Sequence, residues 1–364
     1  MTNRRSTWTN TKTQRKILSN EKERSEKEHG DETYENEIPV QIPDPDADDR
    51  YLFDTKRQKK RTIVIVLLLL VTATAITLSE LNGGPLPTWD ELGSLAVLTE
   101  PPVVYSRCLA VHFIDVGQGD SILIEAPNGD TMLIDAGERG NEKTVTEYIK
   151  QYGDDTLEYV VATHPHSDHI GSMDDVINSF TVRNVLMPRL SKANTPTHSF
   201  YKSFLTAVRK SGAATIAAKP GYTFSLGKGT CTVLSPARQS DDLNNMSVVL
   251  RLDWGNTSFL FTGDAESAVE KELLNGDYAQ YLDASVLKLG HHGSNTSSTM
   301  SFLNAVSPAY SVISCGAGND YGHPHRETME KLSKLDTTVL RTDTMGSIRM
   351  YSDGETIHVE TDNG

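Results

Sequence analysis

Short β-type runs alternate with turn signals over the last two-thirds of the chain. Residues 110–116, 121–125, 131–134 and 158–163 are rich in branched and aromatic side chains. Punctuation such as Pro127-Asn128-Gly129-Asp130 separates them, and this pattern predicts strands. Apolar positions three and four apart predict helices over 143–151, 199–211, 266–274 and 327–335, and strand patterns return at 247–253 and 257–262. Strands with interspersed helices predict an α/β fold in which two layers of sheet are covered by helices.

The first sixty residues carry no such periodicity. Residues 21–37 are mostly Glu, Lys, Arg and Ser, and 43–49 read PDPDADD. Such a segment buries too little apolar surface to offset its ordering entropy, so 1–60 reads as a disordered tail. Residues 62–79 form an uncharged stretch of 18 residues, preceded by Lys56, Arg57, Lys59, Lys60 and Arg61 and followed by Glu80. The expectation is one transmembrane helix over 61–81. The excess of Lys and Arg before it puts the tail in the cytoplasm and the C-terminal domain outside, a single-pass protein of the cell membrane. A cleaved leader is the competing reading, since Ala73-Thr74-Ala75 resembles a cleavage site, but 61 residues before the cleavage region are far too many. Residues 82–107, rich in Gly and Pro, read as an extracellular linker, and 108–364 as one catalytic domain.

Three cysteines, odd in number and without a CxxC pair, exclude a disulfide-dense scaffold and a cysteine-ligated zinc site. The net charge of −14 over 364 residues argues against a surface that binds nucleic acid throughout. That charge is uneven. From residue 176 to 240 there is no Asp or Glu, while Arg183, Arg189, Lys192, Lys202 and five further bases make the window +9. With His198, Phe200, Tyr201 and Phe204 nearby, the four named bases are candidate contacts to a polyanion such as DNA or another phosphodiester. Phe200, Phe204 and Val208, at intervals of four, also read as the buried face of a helix.

The string Thr163-His164-Pro165-His166-Ser167-Asp168-His169 follows an apolar strand. Positions i and i+2 of an extended segment face one side, so His164 and His166 can converge on one ion, with Asp168 and His169 offered to a second. Imidazole with carboxylate suits zinc, manganese or iron, and a pair of such sites suits hydrolysis.

This string resembles the HxHxDH motif of the metallo-β-lactamase superfamily, which implies an αββα sandwich and two divalent metal ions, zinc or manganese. The resemblance implies that Asp264, in Phe261-Thr262-Gly263-Asp264, bridges the metals. It also implies a late histidine ligand in Gly290-His291-His292-Gly293-Ser294; His291 is favoured, with His292 the alternate. A narrower similarity to the hydrolase domain of ComEC-type competence proteins is carried by the FIDVGQGDS string at 113–121, by Asn244-Asn245-Met246-Ser247 and by Tyr321-Gly322-His323-Pro324-His325. Where many metallo-β-lactamases place another histidine ligand, Asn244 stands here. Asp115 and Asp120 either orient ligands or belong to a turn marked by Gly117 and Gly119, and Asp135 fits an orienting role beside the metals. His323 is a candidate phosphate contact or proton donor and, with Asp168, a candidate catalytic residue. Together these features imply an anchored extracellular phosphodiesterase, foremost a DNA nuclease. A cell-wall esterase for teichoic acid or phosphorylcholine phosphodiesters and a non-catalytic polyanion-binding module are the alternatives.

Overall fold

The computed structural model describes residues 107–363 apart from Asp154. Alternation with a period of two decides which core each strand side chain enters. In β1 (Leu109–Phe113), β2 (Ile122–Glu125) and β3 (Thr131–Ile134), Leu109, Val111, Phe113, Ile122, Ile124, Met132 and Ile134 enter one core. Leu123 and Leu133, out of phase by one, enter another on the opposite face. β4 (Thr156–Val161), β5 (Thr181–Met187) and β6 (Ala214–Ala217) extend this sheet in parallel.

A second sheet begins with β7 (Thr223–Leu226), β8 (Gly229–Ser235), β9 (Val249–Trp254) and β10 (Thr257–Phe261), paired antiparallel. It continues in parallel through β11 (Val286–Lys288), β12 (Tyr310–Ile313) and β13 (Thr338–Arg341). The hairpin β14 (Ile348–Ser352) and β15 (Ile357–Thr361) then returns to the first sheet beside β1. The strand orders are β15-β14-β1-β2-β3-β4-β5-β6 and β13-β12-β11-β10-β9-β8-β7.

The two sheets share a core in which Phe113, Phe259 and Phe261 are almost wholly buried, each worth about 1.5–3 kcal/mol. The outer face of the first sheet is covered by α1 (Glu142–Tyr152), α2 (Ser167–Ile170), α3 (Met173–Ser179) and α4 (Ser199–Ser211). That of the second is covered by α5 (Ser267–Asn275), α6 (Met300–Val306) and α7 (Arg326–Leu332). The result is the expected αββα sandwich. The chain leaves β3, β4, β10 and β11 at their C-terminal ends, where open parallel sheets gather their functional loops.

The single-pass membrane placement is corrected. Among the described residues no helix is long and apolar enough to cross a membrane. The longest, α4, has 13 residues and one buried stripe, about 20 Å of helix against a hydrocarbon core of about 30 Å. The stretch 61–81 that prompted the expectation lies outside the described residues, as do the tail 1–60 and the linker up to residue 106.

Candidate metal centre

Asp135, one residue past β3, sits in the left-handed region at φ 56°. Its Oδ1 accepts from the Thr163 N–H at 2.9 Å, and its Oδ2 accepts from Thr163 Oγ1 at 2.6 Å and His169 Nδ1 at 2.7 Å. Nδ1 of His169 therefore carries a proton, and Nε2 is the nitrogen turned toward a metal. Thr163 Oγ1 donates to Asp135, so it accepts from His164 Nδ1 at 3.2 Å and turns His164 Nε2 toward the group. His292 Nδ1 donates to the Ser314 carbonyl at 3.0 Å, with the same consequence.

The three Nε2 atoms meet at Asp264, just beyond β10. Asp264 Oδ2 is 3.2 Å from His169 Nε2, 3.4 Å from His292 Nε2 and 3.8 Å from His164 Nε2. His166 Nδ1 lies 3.0 Å from His164 Nε2, and Asp168 Oδ2 lies 3.2 Å from His292 Nε2 and 3.8 Å from His169 Nε2.

Two observations test whether this group suits a metal. The Nε2 atoms of His169 and His292 face each other at 3.2 Å, and two lone pairs at that distance repel unless a proton or cation lies with them. Asp264 Oδ1 is buried and meets no hydrogen-bond donor. Imidazole nitrogens with carboxylate oxygens are also the donor set of zinc, manganese and iron. The residues fit.

Asp120, His169, Asp264 and His292 place ligand-type atoms within 4.8 Å of one another. Asp120, however, stands behind the imidazoles. Its oxygens are 3.8 Å from His169 Nδ1 and 3.5 Å from His292 Nδ1, the nitrogens turned away from Asp264. Its Oδ2 is paired with the Lys288 ammonium, which is wholly buried and also donates to the Gly263 carbonyl at 2.9 Å. Asp120 thus lies on the Nδ1 side of the two imidazoles, and Asp168 on the Nε2 side.

The electrostatics follow from this crowding. Burial opposes charge on His169 and His292, but Asp264 and the other carboxylates override it and push both well above the ordinary imidazole value. Burial, followed by the charge of His169, holds His164 well below it. Burial likewise opposes the charged form of Asp264, yet His169 and His292 hold its carboxyl well below the usual carboxylate range. Without metal, His169 and His292 therefore retain protons that metal binding must displace. Zinc uptake is expected to release protons, and its affinity to weaken by about tenfold per pH unit per displaced proton as pH falls. Calorimetric titrations in buffers of different ionisation enthalpy check this; a pH-independent affinity would contradict it.

The remaining candidates fall in several places. His291 and His292 both have left-handed backbone, at φ 49° and 53°, and neighbours along such a turn point apart. His292 is the ring that enters the buried group. His291 stays at the rim, 3.8 Å from Asp264 Oδ2, with Nδ1 3.1 Å from Thr296 Oγ1 and 3.3 Å from Glu266. The favoured ligand, His291, thus stands at the rim of the group and the alternate, His292, inside it. Asp115 is exposed and accepts from the Gly117 N–H at 3.0 Å, a turn contact. Asn244 lines the cleft above the site, its Oδ1 buried without a donor. His323 also lines it. Burial first, then the charges of His292, His291 and His325, lower His323 to about 4, so it is a neutral imidazole at physiological pH.

The cleft measures about 930 Å³, and among the described residues none of its lining side chains is Lys or Arg. Arg183, Arg189, Lys192 and Lys202 are exposed and lie outside the lining. Arg183, on β5, pairs with Glu158 across the sheet at 2.8 Å, and Lys202 stands on the outer face of α4. Arg189 and Lys192 stand on the segment between β5 and α4 that continues into the lining residues 193–198. Phe204 and Val208 are core residues of α4, and Phe200, packed partly against the same core, also lines the cleft.

Two further residues complete the site. Ser247 Oγ accepts from the Asp264 N–H at 3.0 Å and lies 3.4 Å from His164 Nδ1. Lys288 is the other, and its signal in the sequence is a lysine inside an otherwise apolar strand run.

Residues 114–317, more than half of the chain, match the family model of the metallo-beta-lactamase superfamily, and the chain belongs to that superfamily, whose members are generally metal-dependent hydrolases. Within it, the chain is similar to competence proteins of the ComEC type. ComE operon protein 3 of Bacillus subtilis is 32% identical over 257 residues, 66% of this chain and 32% of that protein. Competence protein ComA of Neisseria gonorrhoeae is 32% identical over 255 residues, 68% of this chain and 33% of that protein. Recombination protein 2 of Haemophilus influenzae is 31% identical over 249 residues, 66% of this chain and 28% of that protein. The chain thus spans about a third of the length of these curated relatives.

Proposed function

We propose that the protein is a metal-dependent phosphodiesterase, and specifically a DNA nuclease of ComEC-like type. The observation that carries this reading is the convergence of His164, His169 and His292 on Asp264 at the floor of an open polar cleft. His164, His166 and Asp264 would hold one divalent ion, and Asp168, His169, His292 and Asp264 a second. Such ions, zinc or manganese, supply Lewis acidity toward a phosphoryl oxygen and make water nucleophilic near neutral pH.

The chain's own residues divide the remaining work. The Asp135 carboxylate and the Ser314 carbonyl accept from Nδ1 of His169 and His292 and so aim the Nε2 atoms into the group, and Thr163 does so for His164. Ser247 fixes the Asp264 backbone. His323, neutral beside the floor, is placed to donate a hydrogen bond to a phosphoryl oxygen and to add no charge of its own. The unpartnered Oδ1 of Asn244 supplies an acceptor where many relatives would supply an imidazole.

Digestion of single-stranded DNA with added manganese or zinc tests the reading. Cleavage by the wild type is expected to fall by about 10³-fold in the Asp168→Ala/His169→Ala double variant. Equal cleavage by the two proteins would sink the proposal. Turnover of a phosphorylcholine ester in preference to DNA would move it to cell-wall phosphodiesters.

A further inference from the structure

The floor of the cleft is accounted for by the metal-type group; its aromatic rim is not. Tyr321 is 67% exposed. It stacks on His323 with centroids 5.6 Å apart and planes 20° apart, and His323 lies 6.2 Å and 30° from His292. Rings therefore run in succession from solvent down to the residue that touches Asp264. From a different segment, His198 and Phe200 stack at 5.7 Å and 11° and line the same cleft.

The backbone leading to each pair is held in advance. Asn319 Nδ2 donates to the carbonyls of Gly316 at 2.9 Å and His323 at 2.6 Å, and its Oδ1 accepts from the N–H groups of Tyr321 at 3.2 Å and His323 at 3.0 Å. Before His198, Asn194 Nδ2 donates to the Ser240 carbonyl at 2.6 Å, and Gln239 spans the Ser191 N–H and the Arg189 carbonyl. With the backbone held this way, only side-chain freedom is lost when a flat ligand lands on the rings. No Lys or Arg among the described residues lines the cleft, so above the metal-type floor its walls offer a strand rings rather than basic side chains.

We infer that Tyr321 with His323, and His198 with Phe200, are base-stacking platforms that select a single-stranded nucleic acid, its unpaired bases seated beside the phosphodiester offered to Asp168 and Asp264. This rests on the phosphodiesterase reading above. Every base has a π-face, so such platforms bind without sequence preference. A duplex keeps its bases stacked on each other and presents only groove edges and phosphates. The cleft volume of about 930 Å³ lies within the range of small-ligand sites, about 300–1,000 Å³.

The test uses the full chain and two fluorescent phosphorothioate oligomers of equal length, one of thymidines and one abasic, with affinity read by anisotropy. The thymidine oligomer is expected to bind about five- to one-hundred-fold more tightly. Tyr321→Ala and His198→Ala, at exposed side chains, should each reduce that ratio without weakening abasic binding, and Tyr321→Phe should keep it. Equal wild-type affinity for the two oligomers, or a ratio unmoved by both alanine variants, overturns the platforms. Cleavage of the ordinary phosphodiester oligomers, measured in parallel with manganese, separates the two proposals. Base-dependent binding with no cleavage leaves the platforms and removes the nuclease. Cleavage of both oligomers with equal KM leaves the nuclease and removes the platforms.

Discussion

Asp264→Ala is expected to lower metal-dependent hydrolysis by about 10³-fold or more and to reduce the metal retained per chain. One oxygen of this carboxylate lies within 3.2–3.8 Å of nitrogens from His164, His169, His292 and His291. Its removal leaves several inward-facing imidazoles without their shared anion. The loss should appear in kcat and in metal content together. Asp115→Ala, at an exposed turn, is the control and should change neither. Full activity in Asp264→Ala, with metal content intact, would remove Asp264 from the centre of the site.

Lys288→Met should produce the largest loss of stability. The lysine is wholly buried, and its partner Asp120 is 1% exposed. Removing one member of a buried ion pair leaves an uncompensated charge at a cost of about 3–5 kcal/mol. In a domain of this size that lowers Tm by roughly 10 °C. The double variant Lys288→Met/Asp120→Asn should recover most of the loss, since it removes the stranded charge. Burial works against an ionised Asp120, but Lys288, His292 and His169 hold its pKa below the ordinary value. The contribution is therefore present above the unfolded carboxylate pKa and is lost as pH falls through the lower folded one. An unchanged Tm in Lys288→Met across that range would show that the pair carries no such role.

The legible parts of the fold were those with strong local pattern. Residues 131–134 form β3 as the alternation requires, and 199–211 form α4 because its apolar stripe repeats at helical spacing. The edge strand β6, mostly exposed, and the hairpin β14–β15 were not legible. Their pairing comes from distant partners: β14 lies against β1, more than two hundred residues earlier. Within the site, the HxHxDH string could be read because one loop supplies four of its polar side chains. Lys288, Ser247 and the Ser314 carbonyl could not be assigned, since each acts through a neighbour remote in sequence.

The sequence by itself determined the αββα class, the superfamily and the histidine–aspartate chemistry. These rest on periodicity and on contiguous motifs, which are local properties of the chain. Only the tertiary structure put His292 inside the buried group and His291 at its rim, set Asp120 behind the imidazoles, and left Arg183 paired with Glu158 on the sheet. Each of these depends on where a side chain points once two sheets have packed. At His291 and His292, consecutive residues with left-handed backbone, one ring is half-buried at the rim and the next is wholly inside.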